Sequence, residues 1–353
     1  MRYSDFGPLE ITSYDSFLNL GKTRFNAKLN EKMEWKEKLD DFEHIEILGR
    51  GTFGKVVLVK NKRSQKHKFQ AMKIIEKKIL VDKKQVQNTL TEKTILQCAC
   101  HPFMTTLDFA FQDNSYIYFI MPHIPGGDLY THMRKFGKFD EAQAQFYAAQ
   151  VILAVEFLHY LNFIYRDIKL ENILIDHTGY LKLTDFGFCK KLEKGRTYTL
   201  CGTPEYIAPE VLLHKGYGLS ADWWSVGILI FEMNAGFTPF YSRNVVKLYN
   251  KILGCRFKIP FFFSSDLKDL VTQFLKGDIT QRLGNMKGGV DSIKRHKWFN
   301  TMNWLSLLSR KLVSPYKPKF VMSTSVSAAD IKDILELSVS GQNEYKDIFD
   351  GFA

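Results

Sequence analysis

Apolar residues change their spacing several times along this chain, and each change marks a different element. Near the start, Phe25, Leu29 and Met33 recur every four positions with charged residues between them, and Trp35 and Leu39 follow. That spacing predicts an amphipathic helix within an extension covering residues 1–42, with one face that needs a surface to cover. From His44 the period shortens. Ile45, Ile47 and Leu48 lead into a glycine cluster, Val56–Val59 reads as a second strand and Phe69–Ile75 as a third. A helix is predicted over 82–97, and two short strands over 105–121, the second at Tyr116–Ile120. Pro125-Gly126-Gly127 then breaks the chain. Beyond it the pattern is helical over 140–161, 222–236, 243–253 and 266–275, interrupted by an irregular, strand-rich interval at 163–210. Residues 298–353 form a tail with little periodicity of their own. The predicted class is α+β: an antiparallel sheet with one helix, then a mainly helical part.

At 353 residues, with 45% apolar and 25% charged residues, the chain suits two domains or one two-lobed domain with extensions. The formal charge is +11, but Lys and Arg are spread along the whole length. Solvated lysines account for that spread, and no nucleic-acid partner is expected. The densest cluster, Lys60 to Lys68, lies between two strand-like runs and reads as a hairpin loop. The five cysteines are odd in number, and no secretory signal precedes them, which fits reduced thiols in a cytoplasmic or nuclear protein. Cys98 and Cys100 lack the partners a zinc site needs. No apolar run approaches the ~20 residues of a membrane span. The start, Met1-Arg2, is not an N-myristoylation signal.

Candidate chemistry begins at the glycine cluster. Gly49-Arg50-Gly51-Thr52-Phe53-Gly54-Lys55-Val56 continues as strand rather than opening a helix. That argues against a dinucleotide site and for a flap whose backbone N–H groups meet phosphates. Lys73, on the third strand, and Glu92, in the next helix, could pair and hold an ammonium against phosphate oxygens. Tyr165-Arg166-Asp167-Ile168-Lys169-Leu170-Glu171-Asn172 is followed by Asp185-Phe186-Gly187 and Ala208-Pro209-Glu210. The spacing from Asp167 to Asn172 resembles the catalytic loop of protein kinases, in which an Asp accepts the substrate hydroxyl proton and an Asn holds Mg²⁺. Asp185 would give a second carboxylate for that ion, and Lys169 could sit as a point charge beside the transferred phosphoryl. Each piece alone is unspecific, and the ordered set is not.

With these motifs in order, the chain resembles the protein kinase superfamily over residues 43–297, with a small lobe at 43–126 and a larger, mainly helical lobe at 127–297. It is similar to the basophilic group with a C-terminal hydrophobic tail, and most of all to catalytic subunits of cAMP-dependent kinases. The carrying stretches are Gly195 to Tyr206 (Gly-Arg-Thr-Tyr-Thr-Leu-Cys-Gly-Thr-Pro-Glu-Tyr), His296-Lys297-Trp298-Phe299 and the closing Phe349-Asp350-Gly351-Phe352. The resemblance implies a bilobal fold and transfer of the γ-phosphoryl of ATP, with Mg²⁺, to Ser or Thr in Arg-containing proteins. It also implies control by a cAMP-binding regulatory subunit. Thr203 joins Asp167 and Lys169 as a catalytic position. Leu48, Gly49, Gly51, Thr52, Phe53, Gly54, Val56, Ala71, Lys73, Glu92, Met121, Pro122, Ile124, Asp128 and Leu174 would surround the nucleotide, with Met121 as gatekeeper and Pro122 and Ile124 as hinge. Thr199 would be the activation-loop phosphosite, its phosphate met by Arg166 and Lys190. Asp128, Glu171 and Glu232 would read substrate arginines, while Leu200, Pro204 and Ile207 would receive the residue after the phosphoacceptor. Glu210 and Arg282 would form a structural ion pair, and the closing F-x-x-F would dock on the small lobe. The chain departs from the family pattern at Leu170 (usually proline), Asn88 (usually histidine) and Tyr198 (usually tryptophan). It departs again in lacking aromatic residues between Phe320 and Tyr345. Tyr249 keeps part of the surface that grips a regulatory subunit.

Overall fold

Five short-period segments pair into one antiparallel sheet in the computed structural model, which describes residues 13–31, 35–51, 53–63, 69–319, 345–349 and 352. Before the sheet comes helix α1 (Tyr14–Leu29). The strands are β1 (Phe42–Gly51), β2 (Gly54–Asn61), β3 (Phe69–Glu76), β4 (Phe109–Gln112) and β5 (Tyr116–Pro122), in the order β1-β2-β3-β5-β4. Helices α2 (Lys77–Asp82) and α3 (Val86–Cys98) lie between β3 and β4. Strand alternation sends successive side chains to opposite faces. Met72 and Ile74 of β3 join Val57, Val59, Tyr118 and Ile120 in a core of the small lobe's own. Ala71 and Lys73 therefore lie on the other face, whose Phe119 and Met121 belong to the main core.

The larger lobe contains α4 (Leu129–Phe136), α5 (Glu141–Tyr160), β6 (Phe163–Ile164), β7 (Ile173–Ile175), β8 (Leu181–Leu183) and β9 (Lys190–Lys191). It continues with α6 (Pro209–Leu212), α7 (Ser220–Ala235), α8 (Val245–Leu253), α9 (Ser265–Phe274), α10 (Gly289–Lys294) and α11 (Trp304–Leu308). Helices α5 and α7 are buried almost all round and form its centre. Among the described residues no helix is long and apolar enough to cross a membrane.

Three elements differ from expectation. Helix α1 lies earlier than the Phe25–Leu29–Met33 stripe predicts. It starts at Ser13, whose hydroxyl accepts from the Ser16 amide at 3.1 Å, and buries Phe17, Leu18, Gly21 and Phe25. Phe17 and Gly21 decide the register: Phe17 packs on Phe157 of α5, and a Cβ on Gly21 would sit 2.5 Å from that same ring. Leu29 is 49% exposed, and Met33 lies outside the described residues. The helix predicted over 82–97 begins later, at Val86, because Lys84 takes a left-handed φ of 55° just before it; a separate helix, α2, precedes that turn. Helix α4 was not foreseen from periodicity. Asp128 caps it, accepting from the Thr131 amide at 2.7 Å, and Gly137 ends it at φ 82°.

The closing F-x-x-F docks on the small lobe. Phe349 and Phe352 are each 1% exposed, and Phe352 stacks on Phe119 at 5.9 Å under the Lys93 ammonium, 4.7 Å above its ring. Gln112 of β4 donates to the Phe349 carbonyl at 3.0 Å. The aromatic-poor stretch between Phe320 and Tyr345 lies outside the described residues.

Candidate active site

The facing sides of the two lobes bring the charged motif residues together. Lys73 is carried on the β3 face that looks toward the larger lobe. Its ammonium meets Glu92 of α3 at 2.6 Å and Asp185 at 3.2 Å. Burial alone would favour the neutral amine, but Asp185 and Glu92 outweigh it and hold the proton on. The Asp185 carboxyl is held below its ordinary range, first by Lys73, against the opposing effect of burial. Glu92 is pushed up by burial more than Lys73 draws it down, and Asp185 adds to the rise. The result is a fixed cation beside an ionised carboxylate whose side chain remains 46% exposed. Arg166 and Asp185 both take positive φ, 73° and 56°, which non-glycine residues rarely adopt outside constrained sites.

Asp167 sits at the centre of a second cluster and is 3% exposed. Its Oδ1 accepts from the Thr203 hydroxyl at 2.8 Å. Its Oδ2 accepts from Asn172 Nδ2 at 2.9 Å and pairs with Lys169 Nζ at 2.8 Å. Lys169 also donates to Thr203 Oγ1 at 3.0 Å, so Thr203 links the lysine to the carboxylate. Asn172 donates again to the Asp167 carbonyl at 2.9 Å, which orients its amide and leaves the carbonyl oxygen as the atom a hard cation takes. Asp222 of α7 fixes the whole loop by accepting from the Tyr165 and Arg166 amides at 2.8 and 2.9 Å.

The residues expected to face a nucleotide lie on the strands and loops next to the lobe junction. Val56, Ala71 and Met121 lie on adjacent strands, with Ala71 opposite both Leu58 and Met121. Pro122 ends β5, where its missing N–H breaks no ladder, and Ile124 follows it. Leu174 lies on β7, bridged to Asp128. Gly49 has open space where a Cβ would sit, and a Cβ on Gly51 would meet only the Gly54 carbonyl at 3.8 Å, so neither position is crowded. At Gly54 a Cβ would lie 1.8 Å from the Ile74 carbonyl. Phe53 is folded back, its carbonyl accepting from Glu76 N at 3.2 Å; Thr52 lies outside the described residues. Asp128 is less open to a ribose or an arginine than expected, because both its carboxylate oxygens bind Thr131, at 2.7 and 2.9 Å.

Of the residues expected to read arginine, Glu171 and Glu232 lie near one another in an acidic corner with Glu205. Glu232 is buried and accepts the Tyr206 hydroxyl. Burial, helped by the nearby charges of Glu171 and Glu205, pushes its carboxyl up to about 7. Glu205 was missed in the sequence, where it reads only as part of the Thr203-Pro204-Glu205 turn. Leu200 and Pro204 are exposed and Ile207 is buried beside them in sequence order.

Thr199, the expected phosphosite, is exposed. Of the two cations expected to meet its phosphate, Lys190 donates to Thr197 Oγ1 at 3.2 Å and Arg166 Nε donates to the Phe188 carbonyl at 2.6 Å. Arg282 and Glu210 form the expected bidentate pair, at 2.6 and 2.8 Å.

The donor set suits Mg²⁺. Asp185 and Asn172 offer oxygen only, and among the described residues no group of three His, Cys, Asp or Glu side chains gathers to hold a metal unaided. A hard cation with few protein ligands completes its shell with phosphate oxygens and water.

Comparisons with known proteins agree with this geometry. The protein kinase domain family matches residues 42–299. The chain is 47% identical over 284 residues to a protein named cAMP-dependent protein kinase catalytic subunit from Dictyostelium discoideum, covering 80% of this chain and 43% of that one. It is 42% identical to cAMP-dependent protein kinase type 3 of Saccharomyces cerevisiae, over 90% of this chain and 80% of the relative. It is 44% identical to mouse cAMP-dependent protein kinase catalytic subunit PRKX, over 88% and 86%. With the lobes, the Lys73–Glu92 pair and the Asp167 cluster in place, the chain belongs to the protein kinase family, in the serine/threonine branch whose members carry the name cAMP-dependent protein kinase catalytic subunit.

Proposed function

We propose that this chain phosphorylates Ser or Thr in arginine-containing proteins, using ATP with Mg²⁺, under the control of a cAMP-binding regulatory subunit. The observation that carries the catalytic reading is the pair of clusters at the lobe junction: Lys73–Glu92–Asp185 for phosphates and Asp167–Lys169–Thr203–Asn172 for the hydroxyl. Lys73 steadies phosphate oxygens. Asp167 orients the substrate hydroxyl and takes its proton as the oxygen bonds to the γ-phosphorus and the bond to ADP breaks. Lys169 meets charge developing on the moving phosphoryl. Asp185 and Asn172 would hold Mg²⁺, which supplies neutralisation of the phosphate oxygens.

The acidic corner supports arginine specificity. A guanidinium pairs bidentately with carboxylates, and Glu171, Glu205 and Glu232 lie together, with the Tyr206 hydroxyl as the hydrogen-bond donor to Glu232 among the described residues. An Arg-Arg-x-Ser peptide is expected to be phosphorylated far better than its Ala-Ala-x-Ser counterpart; equal rates would reject the specificity. The pH response follows from Glu232. Its carboxyl ionises through about pH 7, so peptide KM should fall between pH 6 and 8, and Glu232→Gln should flatten that slope. For folding the sign is opposite. A carboxyl raised from its ordinary 4.5 favours the folded state most below pH 4.5, and that contribution is lost as pH rises through 7.

Regulation is supported by the relatives' names and by Tyr249, which matches part of the expected docking surface; Tyr198, a departure from that surface, is 65% exposed beside Gly216. A cAMP-binding regulatory subunit should retain this chain on a resin without cAMP and release it with cAMP. Retention that ignores cAMP, or none at all, rejects this part.

A further inference from the structure

The activation segment is tied to the large lobe through one side chain that the proposed mechanism does not use. Tyr217 lies three residues before α7 and is buried. Its backbone exchanges two hydrogen bonds with Thr197, at 2.8 and 2.9 Å. Its hydroxyl donates to the carbonyl oxygen of Thr199 at 2.6 Å. Arg166 Nη1 approaches the same hydroxyl at 3.5 Å, and Cys201 Sγ lies 3.7 Å from it. Lys190 holds the Thr197 hydroxyl from the other side. The catalytic loop is fixed to α7 itself through Asp222. The short stretch from Tyr217 into α7 therefore anchors both the activation segment and the loop that carries Asp167.

We propose that the Tyr217 hydroxyl is a positioning group that holds the activation segment in its ordered shape before Thr199 is modified. The bond uses the Thr199 backbone carbonyl and leaves its side chain outward. It therefore needs no phosphate, and it presents position 199 to a modifying kinase. A phosphate on Thr199 would add a second tether through Arg166 and Lys190. With both tethers present, loss of one should matter little. Without that second tether, the Tyr217 hydroxyl shares the segment with the Lys190–Thr197 contact, and its loss should matter more. This inference rests on the kinase reading and on Thr199 as the phosphosite.

The test is Tyr217→Phe, which keeps the ring and removes only the hydroxyl, in two backgrounds: Thr199-phosphorylated and Thr199→Ala. In the Thr199→Ala background, peptide kcat/KM is expected to fall a further five- to tenfold, the scale of one net hydrogen bond. In the phosphorylated protein the fall should stay under about twofold. Hydrogen exchange without nucleotide supplies a reading independent of activity: the Thr197 amide, which donates to Tyr217, should exchange faster in unphosphorylated Tyr217→Phe than in the unphosphorylated parent. Equal losses in both backgrounds would mean a general stability role and overturn the proposal, as would unchanged exchange at Thr197. If the parent protein transfers no phosphate to any peptide, the kinase reading fails, while the exchange measurement still decides the role of Tyr217.

Discussion

Asp167→Asn should lower kcat by ~10²–10⁴ while leaving ATP affinity within a few-fold of the parent. The asparagine keeps the volume and can still meet Thr203 or Asn172, so the loop should hold its shape. What disappears is the charge paired with Lys169 at 2.8 Å and the basicity that receives the hydroxyl proton. Steady-state phosphorylation of an Arg-Arg-x-Ser peptide, with ATP binding measured separately by calorimetry, separates the two effects. Near-normal turnover would remove Asp167 from the chemistry. A collapse of ATP binding would mean that Asp167 supports the fold of the cleft.

The second large effect concerns stability. Arg282 is 0% exposed and its guanidinium grips both oxygens of Glu210, itself only 13% exposed. It also donates to the Lys276 and Ser220 carbonyls at 3.1 and 3.0 Å. Arg282→Met strands a buried carboxylate, which costs about 3–5 kcal/mol. At roughly 2–4 °C per kcal/mol for a lobe of this size, Tm should drop by about 6–20 °C. Adding Glu210→Leu should recover part of the loss, though not all, because the two carbonyls still lack their donor. A single variant within 1 °C of the parent would show that the pair carries little net stability. A double variant no better than the single would place the cost in the carbonyls instead.

The catalytic frame was legible in the sequence because its parts lie in short motifs with fixed spacing. Asp167 and Asn172 are five residues apart on one loop, and local geometry alone puts them in contact. Lys73 and Glu92 needed one further step, strand alternation, to be placed on the same side of the sheet. What could not be read depends on partners distant in the chain. Helix α1 is registered by Phe157, not by its own spacing, so the Phe25–Leu29–Met33 stripe shares only Phe25 with the buried face. Asp128 reads in the sequence as a ligand-facing acid, and nothing in the pattern there distinguishes that role from the N-cap it supplies to α4. The Lys190 contact to the Thr197 hydroxyl is likewise set by folding and carries no local signal. Tyr217 and Glu205 carry no local signature, since each gains its role from side chains brought together by folding.

The docked Phe352 has a consequence for synthesis. Its neighbour Lys93 precedes it by 259 positions, and Phe119 is likewise an early residue. A ribosome that has finished the nucleotide-covering sheet must still add more than two hundred residues before the ring that closes this side of α3 exists. Nascent chains should thus expose an apolar notch throughout translation of the second lobe, open to chaperones and to mispairing until Phe352 has been made.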